Sequence, residues 1–146
     1  IKEYQNSSVK KLETIFVLNK ADQIDYEKEN LEDMINSANK YLKNIGYKEP
    51  KILPISAYAA KIFKSALENK LNTRKEKNDF EAYYDLFETY KISSKKPKAD
   101  LSDSAIVIKN KEYRKNNIME RLYATGIMEL ELELSSFLDK KILNMN

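Results

Sequence analysis

Residues Ile15-Phe16-Val17-Leu18 run without a polar break into Asn19-Lys20-Ala21-Asp22. A strand that is apolar at successive positions, not at every second one, needs cover on both faces. That is the pattern of a parallel sheet and not of a half-solvated hairpin. The strand is read as Glu13 to Leu18. A second apolar run, Lys51-Ile52-Leu53-Pro54-Ile55, ends in Ser56-Ala57. Pro50 stands before it, where the missing N–H costs little. Parallel strands require a long crossover, usually a helix, and the stretch from Tyr26 to Gly46 supplies one. From Glu27 onward, Leu31, Met34, Ile35, Ala38, Tyr41, Leu42 and Ile45 recur at helical spacing. Gly46 stands where a helix-closing glycine belongs.

Both strands end in polar residues, at the carboxyl edge where open parallel sheets place their ligands. The pair Asn19-Lys20-x-Asp22 and Ser56-Ala57 resembles the guanine-recognition motifs of P-loop GTPases. The residue types suit that base. Guanine presents two donors, N1–H and the 2-amino group, beside the acceptor O6. The Asp22 carboxylate accepts both donors in a bidentate, charge-assisted contact, and adenine would leave it unpaired. The Lys20 stem can lie along one face of the ring, a cation over a π system. The resemblance implies that Asn19 reaches the N7 side and ties its loop to neighbouring backbone. It implies also that the Ala57 N–H donates to O6.

A GTPase needs a glycine-rich phosphate loop, G-x-x-x-x-G-K-[ST]. The two glycines here, Gly46 and Gly126, form none, and no Asp-x-x-Gly switch is present. The expected fold class is therefore α/β, the C-terminal part of a P-loop GTPase domain. Two parallel strands with a crossover helix are followed by a mainly helical C-terminal region. Residues 1–146 form one portion of a domain, with a guanine-recognition α/β part at 13–72 and a helical part at 73–146. Toward the end, Arg121-Leu122-Tyr123-Ala124-Thr125-Gly126-Ile127-Met128-Glu129-Leu130-Glu131 resembles the "[ST]-G-I-x-x-L-E" helix that closes the GTPase domain of bacterial dynamin-like proteins. Glu131 stands where that pattern has Glu. That family implies GTP hydrolysis coupled to self-assembly on membranes and bilayer remodelling. It implies GTP or GDP as ligand, with Mg²⁺ held only by the full domain, and the other half of the GTPase domain as partner. No catalytic residue and no metal ligand is assigned, and this chain alone is expected to be inactive.

The remaining segments are read by period. Residues Ile1 to Leu12 are polar and aperiodic. After Ser56-Ala57, a helix carries Ala59, Ile62, Phe63, Ala66, Leu67 and Leu71 on one face. Asn72 to Asn78 reads as a charged break. Phe80, Tyr83, Tyr84, Phe87 and Tyr90 form an aromatic stripe at helical spacing, which normally faces a core. A partner groove or a base-stacking surface is the functional alternative. Ser93 to Lys98 is a loop by composition. Ala105-Ile106-Val107-Ile108 is a short strand or a helical turn. Lys111 to Tyr123 reads as a polar helix with Ile118, Met119 and Leu122 inward. Met128 to Leu134 alternates like a strand, but Ile127, Leu130, Leu134, Phe137 and Leu138 share a helical face, and Glu and Leu are good helix formers. The reading is a helix capped by Thr125, with Glu129, Glu131 and Glu133 on a solvated face.

The 146 residues allow one domain, and 42% hydrophobic residues supply a core. Charge is balanced, with 26 basic against 23 acidic residues, which gives no footprint for nucleic acid. The chain has no cysteine and no histidine, so thiol chemistry and the commonest general base are excluded. Its apolar runs are far shorter than the ~20 residues of a membrane span. The expected location is cytoplasmic, with peripheral membrane association through the parent protein. The isolated chain is expected to self-associate or to pack helices over the unpaired edge of its first strand. Two alternatives stay open. One is a fragment of a ribosome- or translation-type GTPase with the same base site. The other is a non-enzymatic helical interaction module in which Asn-Lys-x-Asp is accidental.

Overall fold

The computed structural model describes residues 14–23, 30–98 and 103–145. The aperiodic start, Glu13 of the first strand and the beginning of the crossover from Tyr26 fall outside them. Strand β1 (Ile15–Leu18) pairs in parallel with β2 (Lys51–Pro54), Ile15 opposite Lys51 and Leu18 opposite Pro54. Helix α1 (Leu31–Asn44) makes the crossover. Asn30 caps it by accepting the Asp33 N–H at 2.7 Å, and Gly46 follows at φ 119°, in the left-handed region that glycine enters freely. Tyr41, expected to face inward, is 65% exposed. Phe16 of β1 meets Tyr47 edge to face at 4.9 Å.

Beyond β2, helix α2 (Ala57–Leu67) buries Ala59, Ala60, Ile62, Phe63 and Ala66. Leu71 is also buried, but from the loop beyond α2. Helix α3 (Arg74–Thr89) begins inside the segment read as a charged break. Its start is a capping box. The Glu76 N–H donates to the Thr73 hydroxyl at 3.1 Å, and Glu76 in turn accepts the Thr73 N–H at 3.1 Å. Charged side chains are no obstacle to a first turn that faces water, and T-x-x-E was the overlooked signal. The hydrogen bonds from Thr73 hold the Glu76 carboxyl below the usual carboxylate range.

The aromatic stripe of α3 is core, as its spacing indicates. Phe80 and Phe87 are fully buried. Both meet Phe63 of α2 in edge-to-face contacts, at 6.0 Å and 5.9 Å.

A hairpin covers the other side of α3. Strands β3 (Ala105–Ile108) and β4 (Lys111–Arg114) are antiparallel, Ile106 opposite Tyr113. Tyr113 inserts against Phe80 at 4.9 Å and Tyr84 at 4.8 Å. This corrects the reading of Lys111 to Tyr123 as one helix. Lys109 and Asn110, both at positive φ, 52° and 62°, make the two-residue hairpin turn. Helix α4 therefore starts at Lys115 and runs to Ala124. It buries Ile118 and Leu122 as expected, and lays Arg121 over the Tyr84 ring at 3.7 Å.

The last element is helix α5 (Ile127–Met145), so the alternation of Glu and Leu does not make a strand. Gly126 rather than Thr125 stands at its cap position, its carbonyl accepting the Leu130 N–H at 3.2 Å. Thr125 ends α4, and its hydroxyl still accepts the Ile127 N–H in the first turn of α5 at 3.4 Å. Leu130 packs on Leu53 and Ile55 of the parallel pair. Leu134, Leu138, Ile142 and Leu143 further along are exposed, so only the first part of the apolar face is covered among the described residues. Glu129, Glu131 and Glu133 are not simply solvated. They meet Ser93 at 2.7 Å, Lys64 at 2.5 Å and Lys51 at 2.7 Å.

Strand β1 also departs from its expected burial. Val17 is 47% exposed and the other three residues are half-buried. Among the described residues β1 has one partner strand, β2, and its other edge is unpaired. The whole is mixed α/β. No described helix is long and apolar enough to cross a membrane.

Candidate functional site

Parallel pairing in this register sets the carboxyl ends of β1 and β2 side by side. The Ile55 N–H donates to the Leu18 carbonyl at 2.9 Å, and the Ala21 N–H returns a bond to the Ile55 carbonyl at 3.0 Å. The ladder thus continues past the strands and fixes where each loop departs. Lys20 adopts φ 61°, a left-handed conformation that costs a residue with a Cβ about 1 kcal/mol or more. Such strain persists where the surroundings over-determine it, commonly at ligand sites. Here the turn is held by Asn19, whose Oδ1 accepts the Lys20 N–H at 2.8 Å and the Ala57 N–H at 3.1 Å. A single side chain therefore joins the two strand-end loops.

All five residues singled out from the sequence, Asn19, Lys20, Asp22, Ser56 and Ala57, lie in these adjoining loops. Asn19 and Lys20 are exposed, and Asp22 is half-buried in a single turn of 3₁₀ helix over Ala21–Gln23. The Ala57 N–H is already bound to Asn19, so an incoming acceptor shares or displaces that bond. Ser56 is fully buried. Its N–H donates to the Thr125 carbonyl at 2.9 Å, while its hydroxyl has no hydrogen-bond partner. A buried hydroxyl in that condition costs roughly 1–3 kcal/mol.

Helix α3 holds both loops from one side, which the sequence reading did not foresee. The Tyr83 hydroxyl donates to Asp22 Oδ2 at 3.4 Å. The Tyr90 hydroxyl, two turns along the same face, donates to the Ala21 carbonyl. Tyr58, which follows Ala57, donates to Asp79 Oδ2 at 2.6 Å, and Lys75 Nζ stands 2.8 Å from the same oxygen. Burial, and then the Asp22 charge, push the Tyr83 hydroxyl up to about 12. The bonds from Lys75 and then Tyr58 hold the Asp79 carboxyl below its usual range. The available signal was the seven-residue interval between Tyr83 and Tyr90, which places two hydroxyls on one helical face.

The C-terminal corner closes the site from beneath. Gly126 sits at φ +85°, and a Cβ there would stand 2.4 Å from the Pro54 carbonyl oxygen. Only glycine lets the α4–α5 corner approach the end of β2 this closely. A separate hollow of about 150 Å³, lined among others by Ala66, Leu71 and Val107, lies at the far end of α2 from Ala57 and touches none of these residues. Among the described residues no group of three or more acidic side chains is placed to hold a metal ion. The two loops thus place Asn19, Lys20 and Asp22 beside the Asn19-bound Ala57 amide at one sheet edge. Comparison of the chain with protein-family models, curated proteins and solved structures gives no match.

Proposed function

We propose that this chain is the base-recognition part of a P-loop GTPase domain of the dynamin-like kind, and that Asn19, Lys20, Asp22, Ser56 and Ala57 hold guanine. The observation that carries this reading is the bond between Asn19 Oδ1 and the Ala57 N–H, 38 residues apart. It supports a joint site, because an accidental Asn-Lys-x-Asp has no reason to be tied to the next strand end. Asp22 takes N1–H and the 2-amino group, Lys20 covers a ring face, and the Ala57 amide meets O6. The phosphate loop and Mg²⁺ ligands belong to the other half of the domain, whose sheet would continue from the unpaired edge of β1. In the parent protein these parts would support GTP hydrolysis coupled to assembly on a membrane surface.

Without phosphate contacts the base binds weakly, with a dissociation constant on the order of 1 mM, about −4 kcal/mol. The test is an amide NMR titration of the ¹⁵N-labelled chain with millimolar GDP and, separately, ADP. Shifts at Asn19–Asp22 and Ser56–Tyr58 with GDP alone are the expected result. Equal shifts with both nucleotides, or none with either, would remove the guanine reading.

A further inference from the structure

We propose that Tyr83 is a positioning residue for guanine recognition, its hydroxyl fixing the plane of the Asp22 carboxylate so that both oxygens face the base. This rests on the guanine reading above and goes beyond the two sequence motifs, since Tyr83 belongs to helix α3. The geometry is direct. The hydroxyl lies 3.4 Å from Asp22 Oδ2, longer than an ideal O–H···O bond but within reach as the loop adjusts. The ring is held on both sides, by Tyr58 at 6.0 Å and Phe87 at 6.2 Å between centroids. Two turns of helix further on and on the same face, Tyr90 fixes the adjoining Ala21 carbonyl, so the loop is gripped at two successive residues.

The bonding capacity of the carboxylate makes the two contacts compatible. An ionised carboxylate offers about four lone-pair sites. Tyr83 uses one on Oδ2. The bidentate contact with guanine uses one on each oxygen. A carboxylate held in plane before the base arrives loses less rotational freedom on binding. Burial and the neighbouring charge keep Tyr83 protonated well above neutral pH, so it is a donor throughout the working range.

The experiment compares the wild-type chain with Tyr83→Phe, which keeps the ring and removes the hydroxyl. Each is titrated by amide NMR with GDP and with inosine diphosphate, which lacks the 2-amino group. Tyr90→Phe is the control, since it loosens the backbone of the loop and not the carboxylate. The expected result is that Tyr83→Phe weakens GDP about fivefold and narrows the preference for GDP over inosine diphosphate, while Tyr90→Phe weakens both alike. Unchanged or tighter GDP binding by Tyr83→Phe overturns the proposal and leaves the guanine reading standing. An equal loss for both nucleotides in Tyr83→Phe also overturns it, by showing a merely structural role. A wild-type chain silent toward GDP removes the guanine reading, and this proposal with it.

Discussion

The backbone N–H of Ser56 bonds to the carbonyl of Thr125 at 2.9 Å. The loop that follows β2 is therefore supported from the α4–α5 corner as well as from the end of β1. Ile92 and Ser93 donate to the Ala124 carbonyl one residue earlier, so this corner gathers three segments. The short motif Thr125-Gly126-Ile127 owes its residue types to that crowding.

Gly126→Ala tests the crowding. The new Cβ meets the Pro54 carbonyl oxygen at 2.4 Å and Ile92 Cγ2 at 3.2 Å, on a backbone at φ +85°. Overpacking and left-handed strain act together, and a loss of roughly 2–4 kcal/mol is expected. Urea denaturation reads it, and a variant within 0.5 kcal/mol of wild type would show that the corner yields.

Asp22→Asn should exchange one base for another. Xanthine carries a carbonyl where guanine has its 2-amino group, so an amide in place of the carboxylate complements xanthine and leaves guanine poorly matched. A loss of GDP shifts and a gain of xanthosine diphosphate shifts are expected, each by about tenfold or more, or about 1.4 kcal/mol. Parallel titrations of the two chains measure it, and the same response to both nucleotides in both chains argues against a carboxylate-to-base contact.

The Tyr83 hydroxyl gives the fold an alkaline dependence. Folding raises it from 10.0 to about 12, so the folded chain holds that proton more tightly than the unfolded one. The contribution is complete below pH 10 and lost as pH climbs through about 12. Burial raises Tyr113 in the same direction. Stability followed by urea midpoint should fall between pH 10 and 12. In Asp22→Asn the Tyr83 midpoint should move back toward 10, because the charge that is its second cause is gone. Tyrosine ¹³Cζ titration resolves the site.

Phe80→Ala should be among the most damaging single changes. The ring is fully buried and touches Phe63, Tyr84 and Tyr113. Truncations of this kind cost roughly 3–5 kcal/mol, enough to unfold a marginal domain. Loss of the cooperative thermal transition is the readout. Thr73→Ala, by contrast, removes one capping box and should cost only about 1 kcal/mol.

What could be read before folding was what depends on near neighbours in sequence. The parallel pair announced itself in Ile15–Leu18 and Lys51–Ile55, and α1 in its spacing and Gly46. The aromatic stripe gave α3 as a core helix. Asn19 and Ala57 are legible as a pair, because each ends one of two strands whose parallel pairing sets those ends side by side. The errors fell where one local rule overrode another. Charged residues hide the start of α3, because a run of them resembles a break even where T-x-x-E is present. The hairpin was lost because Lys109-Asn110 lacks the glycine that usually marks such a turn. For Tyr83 the interval to Tyr90 marks only a shared helical face; its partnership with Asp22 exists only once α3 lies against the loop.

The contacts that shape the strand-end loops join residues 38, 61 and 69 positions apart, whereas the β3–β4 hairpin closes over two residues. Local elements can form early, while these distant closures bear the larger loss of chain entropy. Segments so assembled open at lower free energy than the core around Phe63 and Phe80. Amide exchange in the two loops should therefore be faster than in that core, and a ligand that bridges them would slow it.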